Sequence, residues 1–334
     1  MKNRSVYWFV LIFLVAGFKT ITLLGQQWSP PIRISGGRTP DLDIDPKTGH
    51  LHIISMYNGV TYTNVAADGT ILFQESVPGA NSDEGGWRFG ASVSVDTLGC
   101  PYVCYRIFKD PDLYDGYYTY RTASGWSTPV RLFKDVKRGY VFRIDIDSQN
   151  RAHIARGSAE DNVWGTVTYY RLINGQYSRE EGGFTKYRAD DRLEIDSGPN
   201  NNVHLILGCP DDNGGPVTYW RSINGGDSWV RIGDIHHPEA GGRNGSPDLF
   251  VDKMGTVHIC YGSANDASRG NTPSARYARF ENGNKIRDLA VTDTGELTSW
   301  HHGGGLASVA ASDNGQYVVM AYLTTDGGAL VARL

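Results

Sequence analysis

PDLDIDPKTGHLHIISMY, residues 40–57, is an alternating strand, a turn built on Asp and Gly, and a second alternating strand. The same pattern returns in ASVSVDTLGCPYVCYR (91–106), FRIDIDSQNRAHIARG (142–157), RLEIDSGPNNNVHLILG (192–208), PDLFVDKMGTVHICYG (247–262) and ASVAASDNGQYVVMAY (307–322). A chain that repeats one supersecondary unit at a spacing of about 50 residues builds a closed array of small sheets. A third strand follows each unit: GVTYTN (59–64), GYYTYRT (116–122), TVTYYRL (166–172), PVTYWRS (216–222), SARYARF (274–280) and GALVARL (328–334). In units two and four a Trp-led segment supplies a fourth strand, SGWSTPVRLF (124–133) and DSWVRIGDI (227–235).

The sixth unit stops at Leu334, after its third strand, while a copy of the fourth strand, QQWSPPIRIS (26–35), stands near the N-terminus. The repeats therefore predict an all-β, six-bladed β-propeller of four-stranded blades, its ring closed by an N-terminal strand pairing with the C-terminal blade. Such closure leaves only short outer strands as edges.

Before that segment, Lys2 and Arg4 precede an apolar run from Val6 to Gly17, extended by Ile21–Leu24. This reads as a secretory signal peptide over 1–25, followed by a single propeller domain over 26–334; an uncleaved anchor is the alternative. The expected location is periplasmic or extracellular, as a monomer without membrane contact after cleavage. A net charge of −4 gives no general attraction to nucleic acid. With 41 Gly, 19 Tyr and 11 % aromatics, the composition suits short strands and tight turns rather than long helices.

Cys100 and Cys104 fall on one extended stretch about 13 Å apart, too far for a disulfide, and Cys104 and Cys260 occupy equivalent repeat positions. They read as buried thiols, and no CxxC-type spacing points to a metal. A His recurs in the second strand as His52, His153, His204 and His258, with Tyr102 and Tyr317 placed in the same slot. A catalytic His is needed once, so four copies read as structural, bonding across the Asp–Gly turn. The third-strand tyrosines Tyr62, Tyr120, Tyr169, Tyr219 and Tyr277 read as packing residues between blades.

Chemistry in a propeller gathers where the loops before the innermost strands meet those between second and third strands. Arg38, Arg88, Arg138, Arg188 and Arg243 precede innermost strands at the blade period, with His301–His302 in the sixth; Arg143 and Arg192 sit at strand starts. A ring of guanidiniums suits carboxylate or sulfate groups; pairing with Asp41, Asp190, Asp191 and Asp248 is the competing reading. The second loops add Arg106, Arg156 and Trp164 to the expected substrate-binding set, and acids and aromatics of the kind found in sugar clefts. For an elimination on a uronic acid, Tyr105, Tyr261 or His302 would serve as base; for hydrolysis, Asp41, Glu194, Asp211 and Asp248 are the carboxyl candidates. No cofactor is expected. Calcium could sit among the acidic loops, although no coordination spacing marks it.

SINGGDSW (222–229) fits the Asp-box S-x-D-x-G-x-x-W with Asn224 in place of Asp, and the D-x-x-G-x-x-H blade core is similar to repeats of BNR/sialidase-like proteins. GRTPDL (37–42) resembles the R-x-P start of the first sialidase blade, which implies carboxylate-binding roles for Arg38 and Arg243. The chain departs from sialidases where Gly37 replaces the aromatic before R-x-P, and where the short loop MYNG (56–59) leaves no counterpart of the catalytic Asp. Related propellers include polysaccharide lyases and exo-glycosidases of uronic-acid-rich glycans. The resemblance thus implies a carbohydrate-active protein acting on an acidic oligo- or polysaccharide, by hydrolysis or β-elimination. A non-catalytic lectin-like propeller and a protein-binding scaffold are the alternatives.

Overall fold

The computed structural model describes residues 38–56, 59–80, 90–110, 113–137, 141–158, 166–184, 193–208, 216–236, 247–266, 272–291, 307–323 and 329–333. Among these there is no helix, and the strands form six antiparallel sheets. Sheet one is β1 (Arg38–Ile44), β2 (Leu51–Met56), β3 (Val60–Val65) and β4 (Ile71–Ser76). Sheet two is β5 (Ala91–Val95), β6 (Pro101–Asp110), β7 (Leu113–Thr122), the short β8 (Gly125–Trp126) and β9 (Val130–Lys137), the last also paired with β7. Sheet three holds β10 (Val141–Ile146), β11 (Arg151–Ser158), β12 (Thr166–Ile173) and β13 (Gln176–Gly182). Sheet four holds β14 (Leu193–Ser197), β15 (Val203–Leu207), β16 (Val217–Ser222) and β17 (Val230–His236). Sheet five holds β18 (Asp248–Val251), β19 (Val257–Asp266), β20 (Thr272–Glu281) and β21 (Asn284–Ala290). Sheet six has three described strands, β22 (Ala307–Ala311), β23 (Val318–Leu323) and β24 (Ala329–Arg333).

Within each sheet the strands follow chain order, and the first strands β1, β5, β10, β14, β18 and β22 neighbour one another in turn. Among the described residues five apolar cores lie between successive sheets. Ile54, Tyr62, Val93 and Tyr105 join sheets one and two; Cys104, Tyr118, Ile154 and Tyr170 join two and three. Tyr169 and Leu205, then Tyr219 and Ile259, and Tyr277 and Met320 mark the other three. Burial on both faces explains why these strands read as near-continuous apolar runs.

Polar bonds between first strands accompany these cores. Counting four residues back from each turn residue gives Asp41, Ser92, Arg143, Glu194, Asp248 and Ser308; counting two back gives Asp43, Ser94, Asp145, Asp196, Phe250 and Ala310. Many of these side chains accept a backbone N–H from the next sheet. Val93 N donates to Asp41, Val95 N to Asp43, Ile144 N to Ser92 and Ile146 N to Ser94. Ser197 N donates to Asp145, Val251 N to Asp196 and Val309 N to Asp248. These bonds saturate inner-strand donors that no second strand reaches.

The turn Asp residues fold back on their own loops: Asp45 accepts from Lys47 N, Asp96 from Leu98 N, Asp147 from Gln149 N and Asp252 from Met254 N, at 2.8–2.9 Å. The glycine of the turn also permits close stacking between sheets. At Gly99 φ is +88° and a Cβ would stand 2.8 Å from Asp45 Oδ2.

The recurring histidines are structural and belong to a wider unit. Nδ1 of His52, His153, His204 and His258 lies 2.6–2.8 Å from the hydroxyl of Tyr62, Tyr169, Tyr219 and Tyr277 respectively. On their other side His153 and His258 meet the turn carboxylates of Asp147 and Asp252. These four third-strand tyrosines therefore bond as well as pack, while in sheet two Tyr118, opposite Cys104, holds the equivalent position and Tyr120 lies two residues further on, stacked on Tyr102. Sheet six corrects one assignment: Val319 pairs with Ala310 where His52 pairs with Asp43, so Val319 holds the slot and Tyr317 lies in the turn. Cys104 and Cys260 are fully buried free thiols, and Cys100 is a turn residue just before β6.

In the Asp-box, Asn224 performs the carboxylate's task. Its Oδ1 accepts from Ser228 N at 2.9 Å and from the Ser222 hydroxyl at 2.8 Å. Trp229 then packs edge-on against Tyr169 and Phe184.

Candidate functional site

The level formed by the fourth residue before each turn carries four ionisable groups of the inner strands, Asp41, Arg143, Glu194 and Asp248, with Ser92 and Ser308 completing it. Repetition of the strand–turn unit, with the first strands side by side, brings residues about 50 positions apart to one height. A cavity of about 430 Å³ opens there, bounded by Asp41, Leu42, Glu194, Asp248 and Ser308 among others, from sheets one, four, five and six.

Arg143 Nε donates to Glu194 Oε1 at 2.5 Å, and the Arg143 side chain keeps only 12 % exposure. Burial pushes the Glu194 carboxyl up to about 7, with Arg143 pulling against it and the charges of Asp248 and Asp41 adding to the rise. The Arg143 guanidinium is held in its charged form against burial by Glu194 and Asp41. Asp248 accepts from Ser308 Oγ at 2.7 Å and Val309 N at 2.8 Å. The arrangement unites a proton donor near neutrality, two further carboxyls and one guanidinium.

Several expected site residues stand elsewhere. Tyr105 and Tyr261 are not at the mouth: both are fully buried in cores between sheets. Tyr105 donates to the Pro78 carbonyl at 2.7 Å and stacks on Tyr117, and burial raises its pKa further. Tyr261 Oη receives Arg276 Nε at 3.2 Å and faces Asp288. Alternation on β6 and β19 turns these two side chains into the packed interfaces, so neither offers a base to a ligand at the axis. Arg143 does lie at the axis, but as the partner of Glu194.

Arg106 and Arg156 are buried in the interface between sheets two and three. Arg38 begins β1, and Arg88, Arg138, Arg188, Arg192, Arg243, Trp164 and His302 lie outside the described residues. Among the described residues no group of three His, Cys, Asp or Glu side chains could hold a metal; the loops considered for calcium lie largely outside them. No described helix is long and apolar enough to cross a membrane.

Reading the chain by loops passed over the axial level as a set. The signal was present as one position, four before the turn, occupied by Asp, Ser, Arg, Glu, Asp and Ser.

No family model matches the chain, and no curated protein matches it in sequence. Solved structures do. A polysaccharide lyase, an ulvan lyase bound to a GlcA(1-4)Rha3S repeat, is similar over 89 % of this chain and 81 % of its own, at 12 % identity and a TM-score of 0.57. A Hadza microbial sialidase is similar over 88 % of this chain at 12 % identity and a TM-score of 0.51; the chain spans 64 % of that protein's length. The Aleuria aurantia lectin, in complex with alpha-methyl-L-fucoside, is similar over 88 % of this chain and 90 % of its own, at 8 % identity and a TM-score of 0.54. At such identities the likeness is one of fold: the chain has the architecture of the sialidase-like β-propellers.

Proposed function

We propose that the protein is a secreted, monomeric carbohydrate-active propeller that takes an acidic glycan at its axial mouth and cleaves it, by hydrolysis or β-elimination. In this reading residues 1–25 are the signal peptide, and residues 26–35 complete sheet six, whose described strands number three where the other sheets have four or more. Six blades then close into a ring.

The observation that carries the reading is the axial level itself. Asp41, Glu194 and Asp248 line one cavity of about 430 Å³, within the range of about 300–1,000 Å³ usual for small-ligand sites. Glu194, with its carboxyl pushed up to about 7, can hold a proton for a leaving glycosidic oxygen or take one from a substrate carbon. Protonated, it also repels an acidic sugar less. Asp248 or Asp41 is then the second carboxyl of a hydrolytic pair. Arg143 neutralises negative charge at the same level, and Arg38, Arg88, Arg138, Arg188, Arg192 and Arg243 are the proposed rim for the glycan's acid groups.

Mass spectrometry of products from sialosides, uronans and glycosaminoglycans tests this. Products lighter by one water than hydrolysis products mean elimination; products that gained water mean hydrolysis. A second reading, a lectin, draws on the likeness to the Aleuria aurantia lectin, 90 % of whose chain is matched. Binding to a glycan of the panel with no product would establish it in place of the first, and neither binding nor product would overturn both.

A further inference from the structure

Arg106 and Arg156 come from neighbouring sheets and enter one interface. Alternation along β6 puts Arg106 on the face of Cys104, and along β11 it puts Arg156 on the face of Ile154. Cys104 and Ile154 share the single core between sheets two and three. Both arginines therefore project into that interface, at the end where the first strands begin: Arg106 N donates to the Gly90 carbonyl just before β5, and Arg156 pairs with Phe142 near the start of β10. A Cβ on Gly90 would stand 2.3 Å from Arg106 Nε, so only a bare backbone lets that side chain cross.

Each guanidinium lies over an aromatic ring, Arg106 over Tyr114 at 4.5 Å and Arg156 over Phe133 at 4.6 Å. Arg106 is 3 % exposed and Arg156 6 %. Among the described residues Arg156 donates from Nη2 to Thr168 Oγ1 at 2.9 Å. Its Nε and Nη1 are buried with no hydrogen-bond partner, and no carboxylate pairs with it among the described residues. A guanidinium does not escape burial by losing its proton. An aromatic face returns at most about 2 kcal/mol to a desolvated cation, whereas leaving it without a counter-ion costs several. The two unfilled donors diverge, and each shares one edge of the guanidinium with Nη2, so either edge can be completed as a forked bond by an oxyanion.

We propose that this interface holds an off-axis anion subsite, in which Arg156, supported by Arg106, binds one carboxylate or sulfate group. It rests on the reading above only for the molecule that bears that group: a glycan with an acid substituent several ångströms from the bond at the axis. The subsite would hold such a chain in register across sheets two and three.

The test is thermal unfolding of the full chain in sodium sulfate and in sodium glucuronate, each against sodium chloride at equal ionic strength. The wild-type melting temperature should rise saturably with at least one of the two anions. Response to sulfate alone assigns a sulfate ester; response to glucuronate alone assigns a uronate. Arg156→Met should abolish the saturable rise and, without anion, melt no lower than wild type, because an unpaired buried charge has been removed. Should that variant fail to fold, Arg156→Lys keeps the charge without the fork and should raise the half-saturating concentration at least tenfold. No saturable rise in the wild type, or an equal rise in Arg156→Lys, overturns the subsite. Glycan cleavage unchanged in the Arg156 variants would remove the subsite and leave the proposed function standing. An oxyanion response in a protein that takes no glycan would do the reverse.

Discussion

Replacing Asp43 by Ala tests the bonds that run from sheet to sheet. Asp43 is completely buried on β1; its Oδ2 accepts from Val95 N at 2.9 Å and from Ser94 Oγ at 3.3 Å, both on sheet two, and its Oδ1 accepts from Ile44 N. Truncation strands the Val95 N–H inside the protein, which costs about 1–3 kcal/mol, and removes the nearer of the Ser94 hydroxyl's two carboxylate acceptors, Asp145 remaining at 3.5 Å, for about 1 more. The loss comes to about 3 kcal/mol. At about 2 °C per kcal/mol for a chain of this size, the melting temperature should fall by about 6 °C. Asp43→Asn keeps a carbonyl acceptor in place and should lose less than half as much. Urea unfolding followed by tryptophan fluorescence, with thermal melts, measures both. An Ala variant within about 0.5 kcal/mol of wild type would mean that apolar packing alone joins the sheets. An Asn variant as unstable as the Ala one would mean that the charge, and not the acceptor, matters.

Gly226→Ala should destabilise by more than about 2 kcal/mol, since Gly226 has φ +86° and a Cβ there would fall 1.9 Å from the Tyr169 hydroxyl; Asn224→Asp, which keeps both acceptor bonds, should stay within about 0.5 kcal/mol, and equal urea midpoints for the two variants would refute the reading of the box. Burial lowers His52 to about 4 and His204 to about 3 from an ordinary 6.5, so the unfolded chain takes up their protons first. Stability should be full above about pH 6.5 and fall toward pH 4 by about 1 kcal/mol per unit per histidine, and urea midpoints at pH 7, 5.5 and 4.5 check this. Glu194 opposes the trend: its raised carboxyl stabilises at low pH, and that contribution is lost as pH climbs from 4.5 to about 7, which flattens the rise below pH 6.5 and leaves a slight fall from there to pH 7. Under the proposed function, Glu194→Gln should lower product formation at least about a hundredfold with the fold intact, and an active Gln variant would remove Glu194 from the chemistry. Deleting residues 26–35 should lower the melting temperature of the whole domain; a truncated protein that melts like the full one would refute ring closure.

By itself the sequence determined an all-β chain of repeated antiparallel sheets, because a repeat registers in every copy. The Asp–Gly turns, the alternating strands and the His–Tyr positions each recur, and each copy lies within about 50 residues, so local chemistry and period suffice. It also marked Arg143 at a strand start and Glu194 and Asp248 among the carboxyl candidates. Whether a given side chain looks at the axis or into an interface was not legible, because that depends on strand parity relative to a neighbouring sheet. A shift of one residue moves a side chain from one face to the other. Tyr105 and Tyr261 looked like mouth residues by their proximity to loops, and parity placed them in cores. Arg106 and Arg156 are 50 residues apart in sequence, and only the packing of sheet two on sheet three puts both guanidiniums in one interface. The Arg143–Glu194 pair arose in the same way, from two first strands brought side by side. Charge pairing and burial are properties of such non-local neighbours, and they exist only once the sheets have stacked.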